Sequence, residues 1–395
     1  MPKIANNLKR LEGQPMFNIL LRCRELEKKG KKIKHFELGD PDFESPKKVV
    51  ESAINSLGNG NTHYQPSRGD LNFINSIRDT TLISRGFKPL KNQVSVTTGA
   101  NAGIFYTLRS ICDYGEEIIL PNPYFPTYKS AAEIAGINCK YYDLTIENQF
   151  QPCLTQIEKK INQKTKAILI NSPSNPMGSI IKKETLQSIY KLAALKDIYI
   201  ISDEVYSRMF FNNEYKFFSL SEMDECKERV ILINGFSKAF AMTGWRVGTV
   251  IAPIDVSDKI TLLSESIASC VPGFVQDGAN TAIRLSSSIT EIMYHAFRKR
   301  QLMFLNEFKN VAAIDCLLPD GAMYVFPSIK KITNDSENFA FHLLDNYGIA
   351  CVPGVYFGEQ GEGHLRFSCA GNQKEIKGIA KSINQAIISF NSSKK

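Results

Sequence analysis

The sequence lacks the features that mark membrane proteins, secreted proteins and proteins that bind nucleoside triphosphates. No apolar run approaches the roughly 20 residues of a membrane-spanning helix, and the segment Met1 to Arg10 has no apolar core of a signal peptide. The nine cysteines stand singly without a C-x-x-C pair, which argues against a disulfide framework and a metal site. No G-x-x-x-x-G-K-[ST] segment occurs. We therefore predict a cytoplasmic protein with buried free thiols, no membrane partner and no metal.

Charge and composition exclude little else. The 395 residues carry a net charge of +8, and 43% of them are hydrophobic, as in an ordinary globular protein. The densest basic cluster, the lysines between residues 28 and 34, fits a solvated helix end better than a nucleic-acid site. We predict no nucleic-acid partner. The length suffices for two domains that each bury a core.

Three short apolar runs in the middle of the chain predict an α/β sheet. Residues 167–170, 198–201 and 230–233 are continuously apolar, which is typical of parallel strands buried on both faces. A helix is predicted over residues 183–196, between the first two runs. The strand–helix–strand order indicates a mostly parallel sheet flanked by helices.

Polar residues follow each of these three runs. Asn175 comes after the first, Asp203 and Tyr206 after the second, and Ser237 and Lys238 after the third. Ligands of open α/β sheets bind beyond the carboxyl ends of the strands. We therefore expect one crevice to collect these five side chains.

The pattern changes after about residue 285 and predicts a second, smaller α+β domain. We predict a large domain over residues 45–285 and a small domain built from residues 1–44 and 286–395. Within the C-terminal part we predict helices at 287–310 and 337–345, a turn at 319–321, and strands near 350–352 and 365–367.

The most specific motif is GFSKAFAMTGWRVG at residues 235–248. It puts Lys238 between a buried strand and a Gly-rich turn, and therefore inside a cleft. A lysine there has a lowered pKa or a partner, and a lowered pKa suits a Schiff-base nucleophile. Arg246 follows eight residues later with a fork of donors suited to a phosphate.

This motif resembles the cofactor-attachment segment of class I and II aminotransferases of fold type I, the aspartate-aminotransferase-like proteins. The resemblance extends from about Gly13 to the last helix. It implies a large domain with a mostly parallel sheet flanked by helices, and a smaller α+β domain. It also implies pyridoxal 5'-phosphate (PLP) as cofactor, an amino acid and a keto compound as substrates, and a homodimer with shared active sites.

The resemblance assigns the chemistry to a few residues. Lys238 would hold the cofactor as a Schiff base and shuttle a proton from the substrate α-carbon. Asp203 would pair with the pyridine nitrogen, although by itself it also fits a helix N-cap. Tyr206, which also fits a core aromatic, and Asn175 would hydrogen-bond the phenolic oxygen of the ring. Lys238, Asp203 and Tyr206 are thus the predicted catalytic residues.

The resemblance also predicts the remaining contacts of the cofactor. Its phosphate would be held at the start of a helix predicted from about residue 102, and its ring would stack on Phe125, with the adjacent Tyr124 as the alternative. Tyr64 would reach the phosphate of the neighbouring subunit. The phosphate site within one chain would comprise Gly99, Ala100, Asn101, Ser237 and Arg246.

Substrate binding is predicted at Arg366, Gly39 and Asn175. The family uses an arginine matching Arg366 to clamp the α-carboxylate, and Gly39 would offer it a backbone N–H. A dicarboxylate needs a second cation, yet residues 267–283 contain no Arg or Lys. Arg68 and Arg109 are candidates that fit structural charges equally well.

Two other functions remain open at this point. The same scaffold serves C–S lyases and decarboxylases, and the sequence does not determine which bond to the α-carbon is broken. PLP-fold proteins also act as ligand sensors in transcription regulators. Those carry a DNA-binding module, for which we see no candidate ahead of Gly13.

Overall fold

The computed structural model describes residues 2, 11, 13–211 and 216–392, with only the backbone of 286–289. The segment Met1 to Arg10, noted above for its polar character, lies outside the described residues except for Pro2. No helix in the described ranges is long and apolar enough to cross a membrane.

Helices and strands alternate through the first two thirds of the chain. The described helices are α1 Met16–Lys28, α2 Lys47–Gly58, α3 Leu71–Arg85, α4 Ala100–Ile111, α5 Thr127–Ile134, α6 Leu154–Lys160, α7 Lys183–Leu195, α8 Ile254–Ala268, α9 Gly273–Arg284, α10 Ser286–Phe308, α11 Ser336–Tyr347, α12 Gln373–Ile376 and α13 Ile379–Ser392. The described strands are β1 Lys34–His35, β2 Val94–Thr97, β3 Glu117–Asn122, β4 Asn138–Asp143, β5 Thr165–Asn171, β6 Tyr199–Asp203, β7 Val230–Gly235, β8 Gly248–Ile251, β9 Tyr324–Val325, β10 Ile349–Ala350, β11 Val352–Pro353 and β12 Leu365–Ser368.

A seven-stranded sheet forms the centre of the larger part. Its strand order is β2-β8-β7-β6-β5-β3-β4, and only β8 runs antiparallel to its neighbours. Alternate residues of β5 face two different cores, Ile168 and Ile170 on one side and Leu169 on the other. Both faces of the strand are covered, which is why its sequence is continuously apolar. The predicted mostly parallel sheet flanked by helices is confirmed.

The C-terminal part packs around a separate core. Strands β11, β12 and β9 form an antiparallel sheet, and α11 packs against α13. The N-terminal segment joins this part, because β1 pairs in parallel with β10 and Ile19 and Leu26 of α1 pack with Leu344. Contacts cross the predicted boundary, since Met209 and Phe211 belong to the C-terminal core. The division at residues 44/45 and 285/286 stays a prediction.

Several predicted element boundaries need correction. Helix α4 begins at Ala100 rather than residue 102, because Gly99 adopts φ +93° and lets the chain turn directly into the helix. The strand predicted at 350–352 is two short strands that pair with different partners, β10 with β1 and β11 with β12. The helices predicted at 183–196, 287–310 and 337–345 span α7, α10 and α11 within two residues at each end.

The prediction of buried free thiols is correct for most cysteines. All nine are free, and five are buried, namely Cys23, Cys112, Cys226, Cys351 and Cys369. Cys139, Cys270 and Cys316 are partly buried. The prediction is wrong for Cys153, which is exposed where it precedes the short helix α6.

Candidate active site

A cavity of about 320 Å³ lies beyond the carboxyl ends of β5, β6 and β7. Because these three strands are neighbours in the sheet, the residues that follow them meet at one edge. The cavity is lined by Gln14, Phe17, Ala100, Asn101, Phe125, Tyr128, Asn171, Asn175, Asp203, Val205, Tyr206, Gly235, Ser237, Lys238, Thr243 and Arg246.

Most of the predicted site residues line this cavity. The others adjoin it, with one exception. Gly39 accepts a hydrogen bond from Lys238, Gly99 lies against Arg246, and Arg366 donates to Asn175. The residues that line it are Ala100, Asn101, Phe125, Asn175, Asp203, Tyr206, Ser237, Lys238 and Arg246.

The amine of Lys238 points into the cavity from the end of β7. Its Nζ donates a hydrogen bond of 2.6 Å to the carbonyl of Gly39. Burial lowers the pKa of Lys238 to about 8; Asp40 partly opposes this, and the charges of Arg366 and Arg246 add to it. An amine with this pKa is partly neutral near physiological pH and can act as a nucleophile or a base.

Asp203 is a buried carboxylate at the end of β6. It accepts hydrogen bonds from Tyr128 Oη at 2.6 Å and from the backbone N–H of Val205 at 3.1 Å. Burial raises its pKa to about 6, and the Tyr128 bond opposes that rise. No Lys, Arg or His of the described residues forms an ion pair with it. Because it accepts the hydrogen bond from the Val205 N–H, the Asp203 side chain also caps the turn that follows β6.

A hydrogen-bonded series of residues connects Asp203 to Arg366. Asn171 Nδ2 donates to the Asp203 carbonyl, and Asn171 Oδ1 accepts from the backbone N–H of Asn175. The side-chain oxygen of Asn175 accepts from Arg366 Nη1 at 3.1 Å. This contact orients the Asn175 amide, so that its nitrogen is left for a ligand. These hydrogen bonds fix the position of Asp203 relative to Arg366.

Arg366 lies on β12 and is 2% exposed. Its Nη2 donates to the carbonyl of Glu37 at 2.5 Å, and its guanidinium lies 4.6 Å from the ring centroid of Tyr324 and 4.9 Å from that of Phe357. The Tyr324 hydroxyl in turn lies 2.9 Å from that of Tyr206. Arg366 Nε is buried and has no hydrogen-bond partner among the described residues. An anion bound here would give it one.

The opposite end of the cavity combines a helix N-terminus with a cation. Ala100 and Asn101 are the first residues of α4, whose backbone N–H groups favour a bound anion. Arg246 adopts φ +54° and donates from Nη1 to the carbonyl of Thr243. A Cβ added to Gly99 would lie 2.5 Å from Arg246 Nη2, so the glycine keeps the guanidinium close to the helix.

Two open questions about aromatic and cationic residues have structural answers. Phe125 lines the cavity, whereas Tyr124 stacks on Tyr141 with ring centroids 5.3 Å apart. Arg68 forms an ion pair with Asp258, and Arg109 donates to two backbone carbonyls. These two arginines are therefore structural, as the sequence allowed.

Tyr64 does not meet the other site residues of its own chain. It is 87% exposed and lies in a separate groove with Cys270 and Phe274. Its predicted contact with the phosphate of a neighbouring subunit stays a prediction.

Comparison with known proteins agrees with this geometry. Residues 31–383 match the family model of aminotransferases of class I and II. The chain belongs to the class I and II aminotransferase family. It is a PLP-dependent aminotransferase, and homologues in this family act on amino acids and keto acids.

Three similar proteins show the range of the family. A (5-formylfuran-3-yl)methyl phosphate transaminase of Methanocaldococcus jannaschii is 36% identical, with 95% of this chain and 96% of that protein covered. The structure of aspartate aminotransferase from Thermus thermophilus with maleate has a TM-score of 0.92 at 27% identity, covering 98% and 100% of the two chains. A Methanococcus jannaschii structure, similar in its active site to kynurenine aminotransferases, has a TM-score of 0.88 at 34% identity, covering 98% and 100%.

The residues of this aminotransferase fit PLP. The buried carboxylate of Asp203 has no cationic partner among the described residues, and a protonated pyridine nitrogen would provide one. The amine of Lys238 contacts only a neutral carbonyl in the described hydrogen bonds, which suits attachment of an aldehyde. The α4 N-terminus and Arg246 match a phosphate. All three groups face the same cavity.

Sequence reasoning missed several residues of this aminotransferase site. Asn171 ends an apolar run, so its position in the sequence gave a usable signal. Tyr128, Tyr324 and Glu37 gave none, because each lies on an element whose place beside the cavity depends on tertiary packing. Gln14, which precedes α1, and Phe17, in its first turn, also line the cavity without a sequence pattern that predicts it.

Proposed function

We propose that this aminotransferase holds PLP covalently through Lys238 and moves an amino group between an α-amino acid and a 2-oxo acid. The observation that supports this assignment most directly is that Lys238, Asp203 and Arg246 face one cavity. Each of the three meets a separate requirement of the cofactor: an aldehyde, a ring nitrogen and a phosphate.

The proton transfers can be assigned to side chains of this chain. PLP, when bound, supplies a ring that withdraws electrons from the substrate α-carbon. Lys238 Nζ removes the α-proton, for which a pKa near 8 is suitable. Asp203 would keep a proton on the ring nitrogen, and Tyr128 fixes the orientation of that carboxylate. The Tyr206 hydroxyl and the Asn175 amide nitrogen would donate hydrogen bonds to the phenolic oxygen of the cofactor ring.

We propose that Arg366 binds the α-carboxylate of the substrate. Its guanidinium is held by Asn175, Glu37 and two aromatic rings, so little side-chain freedom is lost when a carboxylate binds. The unpartnered Nε leaves a donor for that carboxylate. Gly39 belongs to the same site through its contact with Lys238.

We propose a donor amino acid with an uncharged side chain. The cationic residues that line the described cavity are Lys238 and Arg246, and both have other tasks. Phe17, which is 50% exposed in the cavity wall, offers an apolar surface to the substrate side chain. The Methanococcus jannaschii structure with a kynurenine-aminotransferase-like site agrees with this choice.

A dicarboxylate is the second candidate substrate. It is favoured by the similarity to Thermus thermophilus aspartate aminotransferase with bound maleate. That reaction needs a second cation, which a neighbouring subunit could supply. A homodimer with shared sites is part of our proposal, because the aromatic side chain of Tyr64 is largely exposed. Nine free thiols favour a cytoplasmic location.

A half-reaction screen tests these proposals. Amino acids are added singly to the PLP-loaded protein, and conversion of the cofactor to its amine form is followed by absorbance. Phenylalanine and other uncharged donors should convert the cofactor faster than aspartate or glutamate. Faster conversion by aspartate would support the dicarboxylate alternative. Release of ammonia or CO₂ without the amine form would contradict transamination and favour a lyase or decarboxylase.

A further inference from the structure

Three potential metal ligands meet where α1 packs beside β1. Cys23 lies on α1, His35 ends β1, and Glu37 follows two residues later. One ligand atom from each of them lies within 4.8 Å of the other two. We call these three residues the Cys23 cluster. It is outside the lining of the cavity described above, and its three side chains have no part in the proposed chemistry.

The hydrogen bonds of His35 give the cluster a defined geometry. Its Nδ1 lies 2.9 Å from Glu37 Oε1, on the side of the cluster, and its Nε2 lies 3.1 Å from Glu27 Oε1. Metal-binding histidines generally donate their other ring N–H to a carboxylate, which orients the ring. Glu27 occupies the place of that outer carboxylate.

A second observation is independent of this geometry. Glu37 is 1% exposed, and its Oε2 atom is buried without a hydrogen-bond partner among the described residues. A buried carboxylate oxygen without a partner is costly, and native structures generally satisfy such atoms. A bound cation would satisfy it. The Cys23 cluster therefore combines three metal-binding side chains with a buried carboxylate oxygen that has no partner among the described residues.

We propose that the Cys23 cluster binds Zn²⁺ through Cys23 Sγ, His35 Nδ1 and the Glu37 carboxylate. Thiolate, imidazole and carboxylate together suit zinc, which is borderline-soft and prefers four ligands. Bonds of about 2.0–2.3 Å place ligand atoms about 3.5 Å apart. That separation lies between the 2.9 Å that joins His35 Nδ1 to Glu37 Oε1 and the 4.8 Å within which all three ligand atoms lie. Water would complete the four ligands, since solvent reaches the cluster at the His35 side chain, which is 38% exposed. Binding releases the thiol proton and the proton of Nδ1.

The proposed site adjoins the substrate arginine. The carbonyl of Glu37 accepts the hydrogen bond from Arg366 Nη2, so the residue that binds zinc through its side chain positions Arg366 through its backbone. Zinc would also cross-link α1, which begins at the cavity, to this segment. The role is structural: the metal restrains the N-terminal segment against β12.

The spacing of the three residues explains why the sequence predicted no metal. Eleven residues lie between Cys23 and His35, and the turn between α1 and β1 brings the two together. Metal motifs recognised from sequence rely on short, regular spacings, which this set does not have.

Zinc titration of the PLP-loaded protein tests the proposal. Protein treated with EDTA and freed of chelator is titrated with Zn²⁺ alone, in competition with a chromogenic chelator. We expect one tight site per chain and a higher melting temperature with zinc. Cys23→Ser should lower the affinity on the order of a hundredfold, and Glu27→Gln by roughly ten- to a hundredfold because it removes the outer carboxylate. With Co²⁺ as probe, the sulfur-to-metal absorption should disappear in Cys23→Ser.

Cys112→Ser is the matched control, because Cys112 is also a buried thiol but belongs to a different core. It should bind zinc as the unchanged chain does. The proposal is overturned if the unchanged chain has no tight site or if Cys112→Ser weakens binding as much as Cys23→Ser. Should Cys23→Ser fail to fold, Glu27→Gln and His35→Gln decide, since both side chains are partly exposed; full affinity in both overturns it.

Discussion

Tyr128 donates a hydrogen bond to Asp203 with 2.6 Å between Oη and Oδ2, and both side chains are buried. The bond favours the ionised carboxylate against the burial that raises its pKa to about 6. Tyr128→Phe should therefore raise the Asp203 pKa and weaken PLP binding at pH 7 by roughly tenfold, as expected for loss of a hydrogen bond to a charged group. Cofactor titration followed by absorbance measures this.

Tyr142→Phe is the control for that substitution. Tyr142 is equally buried, and its hydroxyl donates to the backbone carbonyl of Leu169 rather than to a site residue. Its removal should affect the free energy of unfolding and leave PLP affinity unchanged. Equal losses of PLP affinity in the two variants would contradict the role given to Tyr128.

Asp203 should make the stability of the cofactor-free protein depend on pH. Its pKa is about 6 when folded and about 3.8 when exposed, so between these values the folded state binds more protons than the unfolded state. The contribution of Asp203 to the free energy of unfolding is fully present below pH 4 and is lost as the pH rises to 6. The loss is on the order of 3 kcal/mol. Urea unfolding at several pH values should show this loss in the wild-type protein. Asp203→Asn should not show it, because asparagine does not titrate. A pH-independent difference between the two would argue against it.

Attachment of PLP to the cofactor-free protein should become faster as the pH rises through about 8. Only the neutral amine of Lys238 attacks an aldehyde, and its neutral fraction rises about tenfold between pH 7 and 9 for a pKa of about 8. Borohydride trapping and peptide mass analysis should find the cofactor on Lys238. The exposed Lys259 serves as an internal control and should stay unlabelled. Lys238→Ala should abolish turnover, and normal turnover in that variant would refute the assignment.

Arg366→Lys should impair carboxylate recognition although it keeps the positive charge. Lysine cannot reproduce the planar fork that reaches Asn175 and the Glu37 carbonyl. We expect kcat/KM for α-amino acids to fall roughly a hundredfold, and the preference over the matching amine without a carboxylate to shrink. Steady-state kinetics on both substrates measures this.

Arg300→Lys is the matched control for Arg366→Lys. Arg300 is also a buried arginine in a bidentate contact, but its partner is Asp42. It should lower the melting temperature and leave the preference for the carboxylate intact. Loss of that preference in Arg300→Lys would show that the effect is indirect.

Gly99→Ala should weaken PLP binding roughly tenfold. Gly99 has φ +93°, which disfavours other residues, and the new Cβ would press against Arg246 Nη2. Gly58→Ala is the control, because a Cβ there meets nothing within 4 Å and no positive φ is involved. Equilibrium dialysis of the cofactor measures the PLP affinity of both variants. Unchanged affinity in Gly99→Ala would argue against a role for Arg246 in phosphate binding.

Sequence reasoning located the site well where each residue followed a strand. Asn175 and Lys238 follow β5 and β7, and Asp203 ends β6. Continuous apolar runs mark those strands because both faces of the sheet are covered. Gly99 shows where local reasoning was less accurate. Its positive φ moves the helix start two residues earlier than the apolar pattern indicated.

The amino-acid sequence by itself determined the mostly parallel sheet, the family and the lysine with its neighbouring phosphate arginine, because these depend on local patterns and on one long motif. Only the tertiary structure decided that Tyr128 supports Asp203, that Glu37 and Tyr324 hold Arg366, and that Cys23 meets His35 and Glu37. These partners are far apart in the chain or lie on elements without a distinctive pattern. Their contacts arise from the packing of whole helices and strands, which spacing along the chain does not encode.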